Sequence, residues 1–286
     1  MLVKVGILAN PNKKGVNQII QKLSKSLERE KITPILETET ARLIDSEDGV
    51  AASDLASTCD LVAVLGGDGT MLNAANQLGP ADLPVAGINV GTLGFLTTCT
   101  DQELVIFAKA VAHKNYTLIK RMQLRATITS SNGDKKSFRA LNEVTLARGQ
   151  TGRLVELDAW VDGELLNHYR ADGLIVATTT GSTAYSLSAG GPLIAPKAEV
   201  FVITPICPHS LSNRSLVVSD NSVVELAPAK GAECPIFLSV DGRDVMAIHQ
   251  GDRVHVEQAG HALPLLRLDG RNFYSTLRQK LGWGCD

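Results

Sequence analysis

Aromatic side chains are scarce: six Phe, four Tyr and two Trp among 286 residues, or 4%. A surface that binds single strands of nucleic acid by stacking needs more of them. Charge of one sign is lacking too. Lys and Arg number 28 and Asp and Glu 30, for a net charge of −2, without the basic excess of a general nucleic-acid binder. No apolar run approaches the roughly 20 residues that cross a bilayer. Neither nucleic acid nor a membrane is therefore an expected partner. The apolar run at 2–9 is too short for a secretion signal and reads as a buried strand. Five cysteines (Cys59, Cys99, Cys207, Cys234, Cys285) are odd in number and far apart, with no C-x-x-C. That spacing fits neither a disulfide framework nor a structural zinc site, and a reducing cytoplasm is the expected compartment.

What is present is an ordered globular composition, 44% hydrophobic and 20% charged. At roughly 150 residues per domain the length suggests two domains. The first third alternates short apolar runs with helical periodicity. Residues 3–9, 61–65 and 84–90 read as strands. Helices are expected over 17–30, where Ile19, Ile20, Leu23 and Leu27 share a face, and over 70–78 and 101–113. Continuous apolar strands separated by helices predict a parallel sheet covered on both faces. The pattern changes near Tyr116. From 121 to 129, Met122, Leu124, Ala126 and Ile128 alternate with polar residues. Val155, Leu157, Ala159 and Val161 repeat the alternation. Asn132-Gly133 predicts a two-residue type I′ hairpin, and Asp162-Gly163 is a second hairpin signal. Further short strands are expected near 174–177, 201–204, 223–226, 237–240 and 253–257. The fold class is thus α/β plus all-β: an N-terminal Rossmann-like α/β domain over 1–116 and a C-terminal β-sandwich over 117–271. A helix at 272–286 is expected to pack back on the first domain.

Three segments carry the candidate chemistry. Gly66-Gly67-Asp68-Gly69-Thr70 follows a buried strand and precedes a helix. Glycine lets backbone approach a ligand closely, and the helix start offers N–H groups to phosphate oxygens. A single Asp there can orient a hydroxyl, accept its proton or hold a metal; equally, Asp68 can be a plain helix cap. The P-loop pattern is absent, and the G-x-G-x-x-G fingerprint fails at its last glycine. The segment 171–192 runs from a strand into a loop of hydroxyls and glycines, with Tyr185 as a flat ring suited to stacking on a purine. Ser188 lacks the preceding glycine of a hydrolase elbow. Asn142-Glu143 is a polar pair within a strand-like stretch. Taken alone, that pair reads as exposed polar residues, and Asp241-Gly242-Arg243 as a turn. His249, His255 and His261, spaced by six, match no usual metal pattern. Lys13 and Lys14, after Asn10-Pro11, are within reach of a phosphate-binding role but read first as solvated surface lysines.

Together these segments resemble the NAD kinase family, in its ATP-dependent bacterial and specifically proteobacterial form. The resemblance rests on GGDGT at 66–70, NE at 142–143, DG at 172–173 with TGSTAYSLSAGGP at 180–192, PHSLSNR at 208–214 and SVDGR at 239–243. GGDGT also occurs in diacylglycerol kinases, sphingosine kinases and phosphofructokinases; the 180–192 segment discriminates. Thr179 stands where many relatives have Pro. The resemblance implies a nucleotide site between the two domains and transfer of the terminal phosphoryl of ATP to the 2′-hydroxyl of the adenosine ribose of NAD. It implies Asp68 as proton acceptor beside Gly69, and Asn142 and Glu143 holding hydroxyl and amide groups of NAD. Thr183, Ala184, Tyr185 and Ser188 would line the adenine. Arg153, Arg170 and Asp172 would complete the dinucleotide site, together with Arg243. It further implies a divalent metal, Mg²⁺, carried with ATP, and a homodimer or homotetramer in which Arg170 and Asp172 reach a neighbour's ligand. The competing readings are a lipid or sugar kinase with the same loop, and a non-catalytic NAD(H)/NADP(H)-binding sensor.

Overall fold

The computed structural model describes residues 3–149, 152–232 and 234–283. The chain forms two compact units. One holds the residues up to Arg121 together with those from His261 onward, and the other holds Met122–Gly260. The pattern change in the sequence marks a division at 116/117 and 271/272 instead. The difference lies in two strands, Tyr116–Arg121 and Leu263–Leu268. They pair with each other, antiparallel, in the first unit's sheet. The expected helical tail is Phe273–Leu281, capped by the Asn272 side chain, which accepts the Ser275 N–H at 2.9 Å; residues 284–286 lie outside the described residues.

The first unit is built on an eight-stranded sheet. Its order is Gly49–Val50, Thr33–Glu37, Lys4–Ala9, Leu61–Leu65, Val85–Asn89, Leu263–Leu268, Tyr116–Arg121, with Thr97–Thr100 also paired to Val85–Asn89. All pairings but the last of the main order are parallel. Leu61–Leu65 and Val85–Asn89 are buried at every residue, as a sheet covered on both faces requires. Helix Val16–Arg29 lays Ile19, Ile20, Leu23 and Leu27 against this sheet in one cluster with Val5, Ile7 and Phe107 of helix Leu104–His113. The strand order reverses at Lys4–Ala9, which leads outward to Thr33–Glu37 on one side and Leu61–Leu65 on the other. Open α/β sheets bind ligands beyond the carboxyl ends of strands at such a reversal.

The second unit contains two six-stranded antiparallel sheets. One runs Leu216–Ser219, Val200–Ile206, Gly173–Ala177, Glu143–Arg148, Ile236–Val240, Arg243–Ile248. The other runs Glu164–Ala171, Val155–Val161, Val224–Pro228, Arg253–Gln258, Leu124–Thr129, Lys135–Ala140. Leu124, Ala126, Ile128 and Leu157 of one sheet share a buried cluster with Val144, Leu146, Leu174 and Leu238 of the other. This is the sandwich core that period-2 alternation dictates.

The hairpin at Asp162-Gly163 has φ of 52° and 84°, the double positive φ of a type I′ turn. Asn132-Gly133 differs from its expectation. The strands close at Thr129 and Lys135, and only Gly133, at φ 91°, is left-handed. Gly133 donates its N–H to Ser130 O at 2.8 Å, and Ser130 N–H donates to Asp134 O at 2.9 Å. The loop is therefore a longer one ending in a glycine bulge, stabilised by Asn132 Oδ1 accepting the Asp134 N–H at 3.0 Å.

Candidate active site

Asp68 opens helix Asp68–Gln77 directly beyond strand Leu61–Leu65. Gly67 occupies the cap position, and no side chain caps the helix. Asp68 instead turns its carboxylate onto a separate loop. Oδ2 accepts the Phe95 N–H and Oδ1 the Leu96 N–H, each at 3.0 Å. Two backbone donors fix both oxygens, so the group is oriented rather than merely solvated. A Cβ on Gly69 would meet nothing within 4 Å, which leaves the backbone beside Asp68 open to a ligand. Asn10, at the end of the neighbouring strand, donates from Nδ2 to Thr70 Oγ1 at 3.2 Å. The two loops at the reversal of strand order are thereby joined.

Arg121 is a feature of this unit that motif reading misses. It is 6% exposed, and its Nε is buried without a hydrogen-bond partner. Burial, followed by the charge of Arg267, pushes its pKa down to about 10, while the Asp68 carboxylate pulls it up. Asp68 thus has a buried cation within electrostatic reach.

In the second unit Asn142 and Glu143 sit where strand Glu143–Arg148 begins. Both are buried, at 9% and 5% exposure, contrary to the exposed-polar reading of the pair taken alone. The loop after strand Gly173–Ala177 packs on them. Thr178 donates its N–H to Asn142 O at 2.8 Å and its hydroxyl to Leu141 O at 2.6 Å. A Cβ on Gly181 would lie 2.1 Å from Asn142 O, so only glycine permits this approach. The other hydroxyls of the loop mostly serve the loop itself. Ser182 donates to Thr179 O at 2.7 Å and Thr183 to Thr180 O at 2.9 Å, and Ser186 pairs with Thr204 at 2.9 Å.

Glu143 and Tyr185 line one open cleft of about 620 Å³, together with Thr145, Arg148, Phe237 and Asp244. Tyr185 is 45% exposed. Glu143 Oε2 is buried without a partner. Burial first, and the nearby Asp241 carboxylate second, push the Glu143 carboxyl up to about 7. Ala184 precedes the short helix Tyr185–Ser188, which carries Ser188 exposed at its end. Arg153 and Arg170 line a different cleft, with Glu156 and Cys234; Arg170 Nε lies 3.7 Å from Glu156 Oε1. Asp172 joins the first cleft indirectly, through a 2.6 Å ion pair with Arg148 Nε. Arg243 is exposed at the start of its strand, after the Asp241-Gly242 turn.

Among the described residues, no three His, Cys, Asp or Glu side chains gather closely enough to hold a metal ion, and no helix is long and apolar enough to cross a membrane.

Residues 5–116 match the family model for the ATP-NAD kinase N-terminal domain, and 141–268 the model for the ATP-NAD kinase C-terminal domain. The chain is 38% identical to an NAD kinase of Solibacter usitatus, over 98% of this chain and 97% of that one. It is 41% identical to an NAD kinase of Chlorobium luteolum, over 99% and 98%. The crystal structure of yeast NADH kinase complexed with NADH is similar at 27% identity and a TM-score of 0.91, covering 100% of this chain and 89% of that one. An NAD kinase from Archaeoglobus fulgidus in complex with ATP shares the fold at 23% identity and a TM-score of 0.76, over 98% and 99%. Two domain models in order and full-length relatives place this chain in the ATP-NAD kinase family.

Proposed function

We propose that this kinase moves the terminal phosphoryl of ATP onto the 2′-hydroxyl of the adenosine ribose of NAD, with Asp68 as the proton acceptor. The observation that carries this is the Asp68 carboxylate, oriented by two backbone N–H groups at the carboxyl end of a central strand, with open backbone at Gly69. A ribose hydroxyl is a weak nucleophile. As its oxygen bonds to the γ-phosphorus and the bond to the ADP oxygen breaks, its proton passes to a fixed carboxylate. Little covalent work is left to the protein, and positioning supplies most of the rate.

Glu143 and Tyr185 suit the dinucleotide. The cleft they share offers a buried acceptor for hydroxyls and an exposed ring for the adenine. We assign Asn142, Thr183, Ala184 and Ser188 to the same ligand on family grounds, with Arg153, Arg170, Asp172 and Arg243 in supporting roles. Mg²⁺ belongs to the substrate in this reading, arriving on the triphosphate oxygens. It screens their charge, which a chain of net charge −2 does not do by itself. A homodimer or homotetramer working in the cytoplasm completes the proposal.

Incubating the protein with Mg-ATP and either NAD or NADH, and reading NADP or NADPH through a specific dehydrogenase, tests the activity. Product from NAD is expected; none from either acceptor, across pH and metal, defeats the assignment. Light scattering at micromolar concentration tests the assembly, for which a mass of at least twice 30.5 kDa is expected.

A further inference from the structure

The turn Asp241-Gly242 joins strands Ile236–Val240 and Arg243–Ile248, with φ of 49° and 72°. Taken alone, the sequence Asp241-Gly242-Arg243 reads only as a turn, and the two positive φ values make it a type I′ hairpin. The Asp241 side chain does more than a turn requires. It folds back onto a segment about one hundred positions earlier and takes three consecutive backbone N–H groups. Oδ2 accepts from Leu141 at 2.9 Å, and Oδ1 accepts from Asn142 at 2.7 Å and Glu143 at 3.2 Å. The Asp241 N–H in turn donates to Glu143 O at 3.0 Å.

We propose that Asp241 is a positioning residue for the dinucleotide, a carboxylate clamp that fixes the backbone of 141–143 and so presents the Asn142 and Glu143 side chains. This rests on the reading that Asn142 and Glu143 contact NAD. Three features carry it. First, the turn does not need the carboxylate, because Asn or Gly would hold a φ near +50° as well. Second, hydrogen bonds from backbone N–H to an ionised acceptor are roughly twice as strong as neutral ones, and three converge on one group. Third, the segment is gripped from the opposite side by Thr178, through Leu141 O and Asn142 O. The pair is thus held on both its N–H and C=O edges before any ligand arrives. Preorganisation of this kind lowers the ordering cost of binding.

The clamp also has an electrostatic effect on its neighbour. Among charged groups, Asp241 acts on Glu143 and Arg243 acts on Asp241, while Arg148 and Asp244 line the cleft that Glu143 shares. Burial pushes the Asp241 carboxyl up, and the three N–H donors and Arg243 pull it back. Its negative charge in turn discourages ionisation of Glu143.

Asp241→Gly and Asp241→Asn separate the clamp from the turn. Both accept the turn conformation. The glycine variant removes every acceptor, and the asparagine variant keeps one carbonyl oxygen and adds a donor facing N–H groups. The full-length protein is assayed for NADP formation with NAD and ATP varied separately, beside Glu143→Gln. The expected result is a KM for NAD raised tenfold or more in Asp241→Gly and less in Asp241→Asn, with the KM for ATP within threefold of wild type. The onset of NAD affinity with rising pH should move to lower pH in both Asp241 variants, since a like charge beside Glu143 is gone. Wild-type KM for NAD in either Asp241 variant overturns the clamp, provided that Glu143→Gln impairs NAD binding. If Glu143→Gln also leaves KM unchanged, the NAD assignment itself has failed. If Asp241→Gly does not fold, Asp241→Asn decides: amide hydrogen exchange across 141–143 is expected to quicken together with the rise in KM for NAD, and an unchanged KM rejects the proposal whatever the exchange shows.

Discussion

Gly94 lies directly against the Asp68 carboxylate: a Cβ built on Gly94 would stand 2.2 Å from Asp68 Oδ1 and 2.8 Å from Oδ2. The same loop supplies the Phe95 and Leu96 N–H groups that hold those oxygens. One methyl group therefore forces either the carboxylate or its two donors to move. Gly94 has no positive φ, so alanine is acceptable to its backbone, and the damage comes from overpacking, at about 1–3 kcal/mol. Gly94→Ala should cut kcat at least tenfold while the melting temperature falls only modestly. Stopped turnover and a thermal melt on the same preparation check this. Full activity would show that the carboxylate's orientation is unimportant.

Asp68→Asn tests the proton acceptor with little change of shape. An amide cannot take the proton, and general-base assistance is typically worth roughly 10²–10⁴-fold. We expect kcat to fall by about that factor with NAD affinity, measured by titration calorimetry, little changed. Near-normal turnover would assign the proton to another acceptor.

Tyr185→Ala removes the exposed ring from the cleft shared with Glu143. If the ring stacks on adenine, the loss is roughly 1–3 kcal/mol of NAD affinity. KM for NAD should rise while the KM for ATP stays put. An unchanged NAD affinity would place the ring away from the ligand.

Much of this was readable in advance. Strong apolar runs at Lys4–Ala9 and Leu61–Leu65, with a clean helical face over Ile19, Ile20, Leu23 and Leu27, leave one architecture for the first unit. Alternation at Val155, Leu157 and Ala159 does the same for the sandwich. Thr33–Glu37 shows no such run: it holds Pro34 in a paired register and ends in Glu37, whose carboxylate caps the next helix. The alternation from 121 to 129 hides a crossing between units. Arg121 ends a strand of one sheet and Leu124 begins a strand of another; only the second alternates in burial, and Arg121, on the polar side of the sequence pattern, is buried. Motifs located Asp68, Asn142 and Glu143. They said nothing of Arg121, Thr178 or Asp241 as partners, because those contacts join residues 37 to 100 positions apart or leave no local pattern.

Glu143 should leave a signature in the pH dependence of stability. Its carboxyl lies at about 7 in the folded protein, against 4.5 as its ordinary value. Between those values the folded state holds a proton that the unfolded state has lost. Stability therefore falls as pH rises through that window, and the deficit is fully developed above about 7. A gap of that size corresponds to at most about 3 kcal/mol. Glu143→Gln keeps the shape and never ionises. Below pH 4 the variant and wild type should unfold at the same denaturant concentration. At pH 8, without nucleotide, the variant should be the more stable, with the difference growing between pH 5 and 7. Parallel urea midpoints at all pH values would mean that the Glu143 carboxylate is solvated or paired in the folded protein. The same carboxylate charge that costs stability here is the one available to accept hydrogen bonds from ligand hydroxyls, so Glu143→Gln should gain stability and lose NAD affinity together.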